Sequence, residues 1–410
     1  MLQYGLMSRK QILIVGGGFG GVKAALELSN DEAFEVTLLS NKNYFQYYAS
    51  LYHTATGGKA AQSQISFDDL FADKQLHVVI GEAQTLDRRA HTLTIASGEV
   101  LHYDTILLGL GVITNYFGIK GLEEFAYGTK SVNEAEKLKA HIHQQLIDEK
   151  KPDLNYVVVG GGPTGIELAG AMTAYLRQIM KNHGIHARTV HIDLVEAAPQ
   201  LLPRLPKSMS RAVALHLKHI GVHLYLGQVV QGETADGLTI SGKALTSHTV
   251  VWTAGMATHP FFKDNGFNFG PHGKVAVNVY LQADEDIYIL GDNANTPYSG
   301  MAQTALYDGA FVAKNLKRQA NGKKLKPYVP KAPITVIPAG PKWAAVQWGP
   351  VKIYGRLGWW LREVADLVAF HDYEPWRRAT KQFMTEFGEQ EDCPVCQVAN
   401  KSYSSETSPT

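Results

Sequence analysis

Two segments of this chain repeat one plan: a short buried-strand run, a glycine-rich turn and an apolar helix. Gln11-Ile-Leu-Ile-Val15 leads into Gly16-Gly-Gly-Phe-Gly-Gly21 and a helical stretch from Val22 to Ser29. Tyr156-Val-Val-Val159 leads into Gly160-Gly-Gly-Pro-Thr-Gly165 and a helix from Ile166 to about Asn182. A strand follows each, Glu35 to Ser40 and Val190 to Glu196. Each unit is therefore βαβ, which requires a parallel sheet with helices on its faces. In Gly16-x-Gly18-x-x-Gly21 and Gly160-x-Gly162-x-x-Gly165 the first glycine permits the turn, the second admits a diphosphate to the backbone, and the third allows close helix packing. The diphosphate then rests on the positive end of the helix. A lone loop of this kind is weak evidence. Two copies in strand-loop-helix context predict an α/β chain with two Rossmann-like dinucleotide-binding domains.

The residue closing the strand after each loop sets the ribose contact. In the second unit it is Glu196, a carboxylate that accepts from both ribose hydroxyls and repels a 2′-phosphate, so NADH is expected over NADPH. The interval from Gly165 to Glu196 exceeds the generic ~20 residues, which calls for an extended helix or loop between them. In the first unit the position is Ser40, followed by Asn41, and the usual carboxylate is missing. A solvent-facing strand end is the bland alternative for Glu196.

Between the loops, His77 to Asp104 alternates in strand-like fashion around a turn at Ser97-Gly98, and Thr105 to Leu110 returns as a strand. The segments from Val222 to Val230 and on to Val251-Trp252 repeat that layout. A further buried strand, Asp286 to Asp292, ends in Gly291-Asp292, and a helix follows from about Met301 to Ala320. The predicted organisation is a second domain inserted in the first: 1–115 and 271–322 for one, 116–270 for the other. A C-terminal docking region, 323–388, opens with a Lys- and Pro-rich connector at Lys323 to Pro341, and a polar tail over 389–410 is expected to be disordered.

Two dinucleotides in one chain point to a bound flavin and an exchangeable nicotinamide, because FAD takes up hydride and passes electrons on singly or in pairs. Asp292 at the strand end supports FAD in the first unit by bonding ribityl hydroxyls, with the helix from Met301 directed at the electron-rich end of the ring. A helix-capping aspartate is the alternative. FAD would then be held by Gly16, Gly18, Gly21, Ser40 and Asp292, and NAD by Gly160, Gly162, Gly165 and Glu196.

Lys plus Arg (39) and Asp plus Glu (38) nearly cancel, so no overall field draws the chain to nucleic acid. Met1 to Lys10 shows no basic-then-apolar leader, and the only cysteines, Cys393 and Cys396, lie in the polar tail, which points to the cytoplasm. Lys42 to Ala61, where disulfide reductases of this architecture place a redox dithiol, has none. Two cysteines with no neighbouring histidine do not close a four-ligand zinc site, and no metal is expected. No apolar run reaches the ~18 residues that span a bilayer. From Arg356 to Phe370, however, Leu357, Trp360, Leu361, Val364, Leu367 and Val368 recur at helical spacing, with Arg362, Glu363 and Asp366 on another face. Trp359 and Trp360 near its start and Trp376-Arg377-Arg378 with Lys381 beyond it suit a segment lying in a lipid interface. Packing on the protein's own core or on a partner in a homodimer is the other reading.

The motifs together resemble the type II, non-proton-pumping NADH dehydrogenases within the two-dinucleotide-binding-domain flavoproteins. The similar stretches are Gly16 to Gly21, Asn43-Tyr-Phe45, Thr114-Asn-Tyr-Phe-Gly-Ile119, Val159-Gly-Gly-Gly-Pro-Thr-Gly-Ile-Glu-Leu-Ala-Gly170, Val251-Trp-Thr-Ala-Gly255, Ile289-Leu-Gly-Asp292 and Ala302-Gln303. The resemblance implies NADH oxidation through FAD, quinone as acceptor, and peripheral attachment to the inner face of the cell membrane through the C-terminal region. It places Glu167 near the nicotinamide and flavin, and Gln303 beside the flavin at the quinone end. Glu167 also has a local reason to sit in the first helical turn, where the dipole favours a carboxylate. The family's Ala-Gln-x-Ala-x-Gln is incomplete here, since Tyr307 stands for the second Gln, and Leu108-Gly-Leu-Gly111 departs from the usual Ala-Thr-Gly. Two other functions stay open on sequence: a soluble NADH-dependent reductase of an iron-sulfur protein or of oxygen, and a non-enzymatic NADH-sensing flavoprotein.

Overall fold

The computed structural model describes residues 9–149, 152–185 and 190–371. Trp376, Arg377, Arg378, Lys381, Cys393, Cys396 and the predicted tail lie outside the described residues. In chain order the elements that build the sites are β1 (Lys10–Val15), α1 (Phe19–Leu28), β2 (Phe34–Ser40), β3 (His77–Ile80) and β4 (Thr105–Leu108). Then come β5 (Asn155–Val159), α2 (Pro163–Asn182), β6 (His191–Glu196), α3 (Lys207–His219), β7 (Val222–Leu226) and β8 (Thr249–Trp252). The chain continues through β9 (Gln282–Asp284), β10 (Ile287–Ile289), α4 (Ala302–Ala320), β11 (Thr335–Pro338), β12 (Ala344–Trp348), β13 (Val351–Gly355) and α5 (Arg356–His371). These fall into two compact units.

The first unit comprises residues up to 46, 65–113 and 256–333. Its sheet has the order β9-β10-β4-β1-β2-β3, with β1 parallel to both neighbours: Ile14 faces Leu38 on one side and Leu107 on the other. A strand buried on both faces reads as a continuous apolar run, which is why Ile12 to Val15 show no alternation. Below the sheet, Leu13, Val15, Ile106 and Leu108 pack with Phe261, Phe262 and Phe267. That aromatic cluster binds 256–270 into the first unit, so the expected boundary at 270 moves to 255. His77–Ile80, read with the ribbon, is instead the outer parallel strand on β2, and the ribbon proper runs over Ala83–Asp87, Thr92–Ile95 and Val100–His102. Helices α1 and α4 cross at glycines: a Cβ on Gly309 would lie 2.2 Å from the Gly20 carbonyl oxygen, so only bare backbone fits there.

The second unit comprises 47–64, 114–255 and 334 onward. Its parallel sheet, β7-β6-β5-β8, repeats the order β3-β2-β1-β4 of the first, and it too carries an antiparallel ribbon, Val230–Thr234, Gly237–Ile240 and Lys243–Thr246. The core runs from Tyr156 and Val158 through Ile166, Met172 and Leu176 of α2 to Val213 and Leu217 of α3. Tyr52 and Ala55 join that core, which assigns 47–64 here although it lies inside the expected first domain. The tryptophan-rich segment holds a three-stranded antiparallel sheet, β11-β12-β13, that the sequence reading missed, with α5 packed on it through Gly358. The Lys- and Pro-rich connector is divided accordingly: it stays with the first unit to Pro333 and enters this sheet at Thr335.

Candidate active site

At the first loop the chain turns through Gly16, whose φ of 113° is left-handed, and its amide donates to the Leu39 carbonyl at 2.8 Å. A Cβ on Gly21 would lie 2.0 Å from the Gly16 oxygen, so the third glycine is required by the return of the helix over the turn. Gly18 has open space where its Cβ would be and caps α1 in extended conformation. The helix starts at Phe19, three residues earlier than expected, so its N-terminal turn follows directly after that opening. Ser40 is buried at the end of β2, beside Gly17, and its Oγ accepts from the Lys42 amide at 3.2 Å.

The second loop has the same construction. Gly160 has φ of 120°, a Cβ on Gly165 would lie 1.9 Å from the Gly160 oxygen, and Gly162 again faces open space. Pro163, pre-set for a first helical turn, begins α2 directly after it. Glu196 ends β6 beside Gly161, in the place Ser40 holds in the first unit. Its Oε2 accepts from the Gly161 amide at 2.6 Å and its Oε1 from the Ala198 amide at 2.7 Å. Two charge-assisted bonds fix the carboxylate at the mouth of the loop, and the solvent-facing reading of Glu196 is not what the structure shows. An earlier helix start changes the account of Glu167: it is half-buried in the second turn of α2, beyond the reach of a first-turn dipole contact.

At the end of β10, Asp292 accepts from the Gly300 amide at 3.0 Å and so shapes the turn ahead of α4. Gln303 lies exposed in the first turn of α4, and Tyr307, one turn on, packs against Tyr328 with Lys331 Nζ 4.4 Å from its ring centre. Three polar residues that sequence reading missed support this turn. Asn293 exchanges bonds with Gly111, its Nδ2 donating at 2.6 Å and its Oδ1 accepting at 2.9 Å, which ties the strand end to the loop after β4. Asp308, fully buried in α4, accepts from the Gly291 amide at 3.1 Å and the Tyr328 hydroxyl at 2.6 Å. Burial pushes its pKa up to about 7, against the two hydrogen bonds. A polar residue on a helix carries no sequence mark of such a tether.

In the second unit a polar cluster lies under α5. Arg362 is buried, paired with Glu363 at 3.2 Å, and its guanidinium sits over the rings of Trp359 and Tyr52. Next to Tyr52, burial holds His53 down to about 3, with the Arg362 charge acting in the same direction, so this imidazole stays neutral.

Both loops fit a dinucleotide: each leaves the second glycine's Cβ position empty in front of a helix start, as a diphosphate needs. Residues 10–309 match the pyridine nucleotide-disulphide oxidoreductase family. A type II NADH:quinone oxidoreductase of Staphylococcus saprophyticus is 27% identical over 340 residues, covering 77% of this chain and 84% of that protein. Among solved structures, NDH2 from Plasmodium falciparum in complex with NADH superposes with a TM-score of 0.84 at 16% identity, covering 92% of this chain and 97% of that one. The sulfide:quinone oxidoreductase of Aquifex aeolicus gives 0.73 at 18% identity over 87% and 89%. With a family match that spans both glycine loops and most of the chain, this protein belongs to the pyridine nucleotide-disulphide oxidoreductase family.

Proposed function

We propose that the chain is an FAD-dependent NADH:quinone oxidoreductase, with FAD held in the first unit and NADH in the second. The observation that carries this reading is the paired loop geometry, with the Glu196 carboxylate fixed beside the second loop and only Ser40 beside the first. The name shared by relatives along 77% of the chain supports the acceptor. When bound, FAD accepts hydride from NADH and passes two electrons to the quinone. The chain's own residues bind and orient. Gly16, Gly18 and Gly21 with the N–H groups opening α1 receive the FAD diphosphate, and Asp292 takes the ribityl hydroxyls. Gly160, Gly162 and Gly165 with α2 receive that of NADH, and Glu196 accepts from its ribose hydroxyls while rejecting a 2′-phosphate. Ser40 gives the FAD ribose a neutral partner. Glu167 and Gln303 are the side chains assigned to the reacting rings, on the NADH and quinone sides respectively.

A lipid-dissolved quinone requires docking at a membrane. On α5 the residues Leu357, Trp360 and Val364, spaced along one helical face, are exposed, while Arg362 is turned inward. Such a face suits burial in the interfacial layer of the cytoplasmic leaflet of the cell membrane. Among the described residues no helix is long and apolar enough to cross a membrane. Stopped-flow mixing of the flavin-loaded protein with NADH tests the reading: bleaching followed by recovery on adding a short-chain quinone is expected. Bleached flavin that the quinone does not reoxidise overturns the acceptor, and absence of bleaching overturns the donor.

A further inference from the structure

The chain is nearly neutral overall, yet its charge is not evenly spread. No acid occurs from 197 to 232 or from 334 to 362, and both stretches carry several cations. The fold brings them together within the second unit. Helix α3, which comes from the first stretch, packs on the β11-β12-β13 sheet: Lys352 Nζ on β13 donates to Ser208 Oγ on α3 at 2.8 Å, and His216 stacks on Trp343 at 4.3 Å. Around that junction Lys207 and Arg211 of α3, Lys342, Lys352 and Arg356 are all exposed. The same elements present large apolar side chains to solvent. Trp348 (63% exposed) and Val351 (52%) flank the Gly349-Pro350 turn, Trp360 (60%) and Leu357 (59%) lie on α5, and Leu215 (61%) lies one turn along α3 from Arg211. The one acid at the start of α5 whose side chain is described, Glu363, is engaged by Arg362. A tryptophan at a hairpin tip beside exposed cations matches a surface with an apolar layer beneath negative headgroups.

We infer that this end of the second unit, formed by α3, the tip of the β12-β13 hairpin and α5, docks on anionic lipid headgroups, with Trp348 and Val351 entering the interface from one side of the hairpin and Arg211 and Lys352 meeting the headgroup charge from the other. The inference rests on the membrane-docking reading and adds two things to it: a hairpin and a helix outside α5, and a lipid class. It is tested by co-sedimentation of the full-length, flavin-loaded protein with vesicles of phosphatidylcholine alone and of phosphatidylcholine containing phosphatidylglycerol. Phosphatidylglycerol should raise binding roughly tenfold or more, and added salt should reverse that gain. The double variant Arg211→Glu, Lys352→Glu should lose most of the gain, and Trp348→Ser should weaken binding to both vesicle types. NADH-dependent reduction of a water-soluble acceptor, unchanged in these variants, shows that they fold. Equal wild-type binding to both vesicle types overturns the anionic preference and leaves docking through α5 standing. Binding to neither overturns the membrane reading itself. If the charge reversals leave vesicle binding intact but shift a monomer-dimer equilibrium in sedimentation, this surface belongs to a second copy and the inference fails.

Discussion

Glu196 shows how one side chain joins fold to specificity. Its carboxylate is held by the amides of Gly161 and Ala198, so it is set in place before a ribose arrives. Glu196→Gln keeps the shape and removes the charge. It should raise KM for NADH by roughly tenfold and narrow the preference over NADPH by at least as much, measured as the ratio of kcat/KM values. Unchanged selectivity would contradict the assigned role. Asp308 gives a different residue-scale expectation. Its folded pKa, about 7, lies above the ordinary 3.8, so folding takes up a proton in between. The stability it lends is complete below about 4 and drains away as the pH climbs through 7. Relative to Asp308→Asn, the wild type should therefore lose roughly 1–3 kcal/mol between these limits, read from urea midpoints across pH. Parallel curves would show that Asp308 keeps an ordinary carboxyl.

At the scale of the element, the glycine loops separate folding from binding. Gly165 and Gly162 belong to one motif but face different things. A methyl on Gly165 would collide with the Gly160 oxygen at 1.9 Å, and the backbone there has no slack. Gly165→Ala should cost at least about 2–4 kcal/mol and lower the thermal midpoint of the second unit. Gly162 is extended and its Cβ would point into open space. Gly162→Ala should change stability by no more than about 1 kcal/mol, yet weaken NADH about tenfold or more because the methyl stands where the diphosphate approaches. If both variants behave alike in calorimetry and titration, the motif is structural only. Helix α5 teaches a related lesson. Its period was legible, but its orientation was not, because the hydrophobic pattern is the same whichever face meets solvent. Burial of Arg362 over Tyr52 and Trp359 decided it. Trp360→Ser with Val364→Ser should release the protein from vesicles while leaving reduction of a soluble acceptor intact; retention on the vesicles would assign that face another partner.

For the whole molecule, two sheets of the same strand order, each with a ribbon, are built from chain segments that interleave. The sequence signalled the nesting through the late Gly291-Asp292 strand. It did not signal that 47–64 joins the second unit or that 256–270 stays in the first. Those memberships depend on Tyr52 and Ala55 packing in one core and Phe261, Phe262 and Phe267 in the other, contacts between residues far apart in the chain.

By itself, then, the sequence determined the local devices: which strands are buried on both faces, where glycine is obligatory, which carboxylate ends the strand of the second unit, and that no cysteine lies near the first loop. All are set by neighbours within a few residues, where sterics and periodicity act directly. Only tertiary structure decided which distant segments share a core, that Asp308 and Tyr328 brace the Gly291-Asp292 turn, and that cations from two acid-free stretches converge on one end of the second unit. These depend on contacts whose partners are tens to hundreds of residues apart, and no local pattern records them.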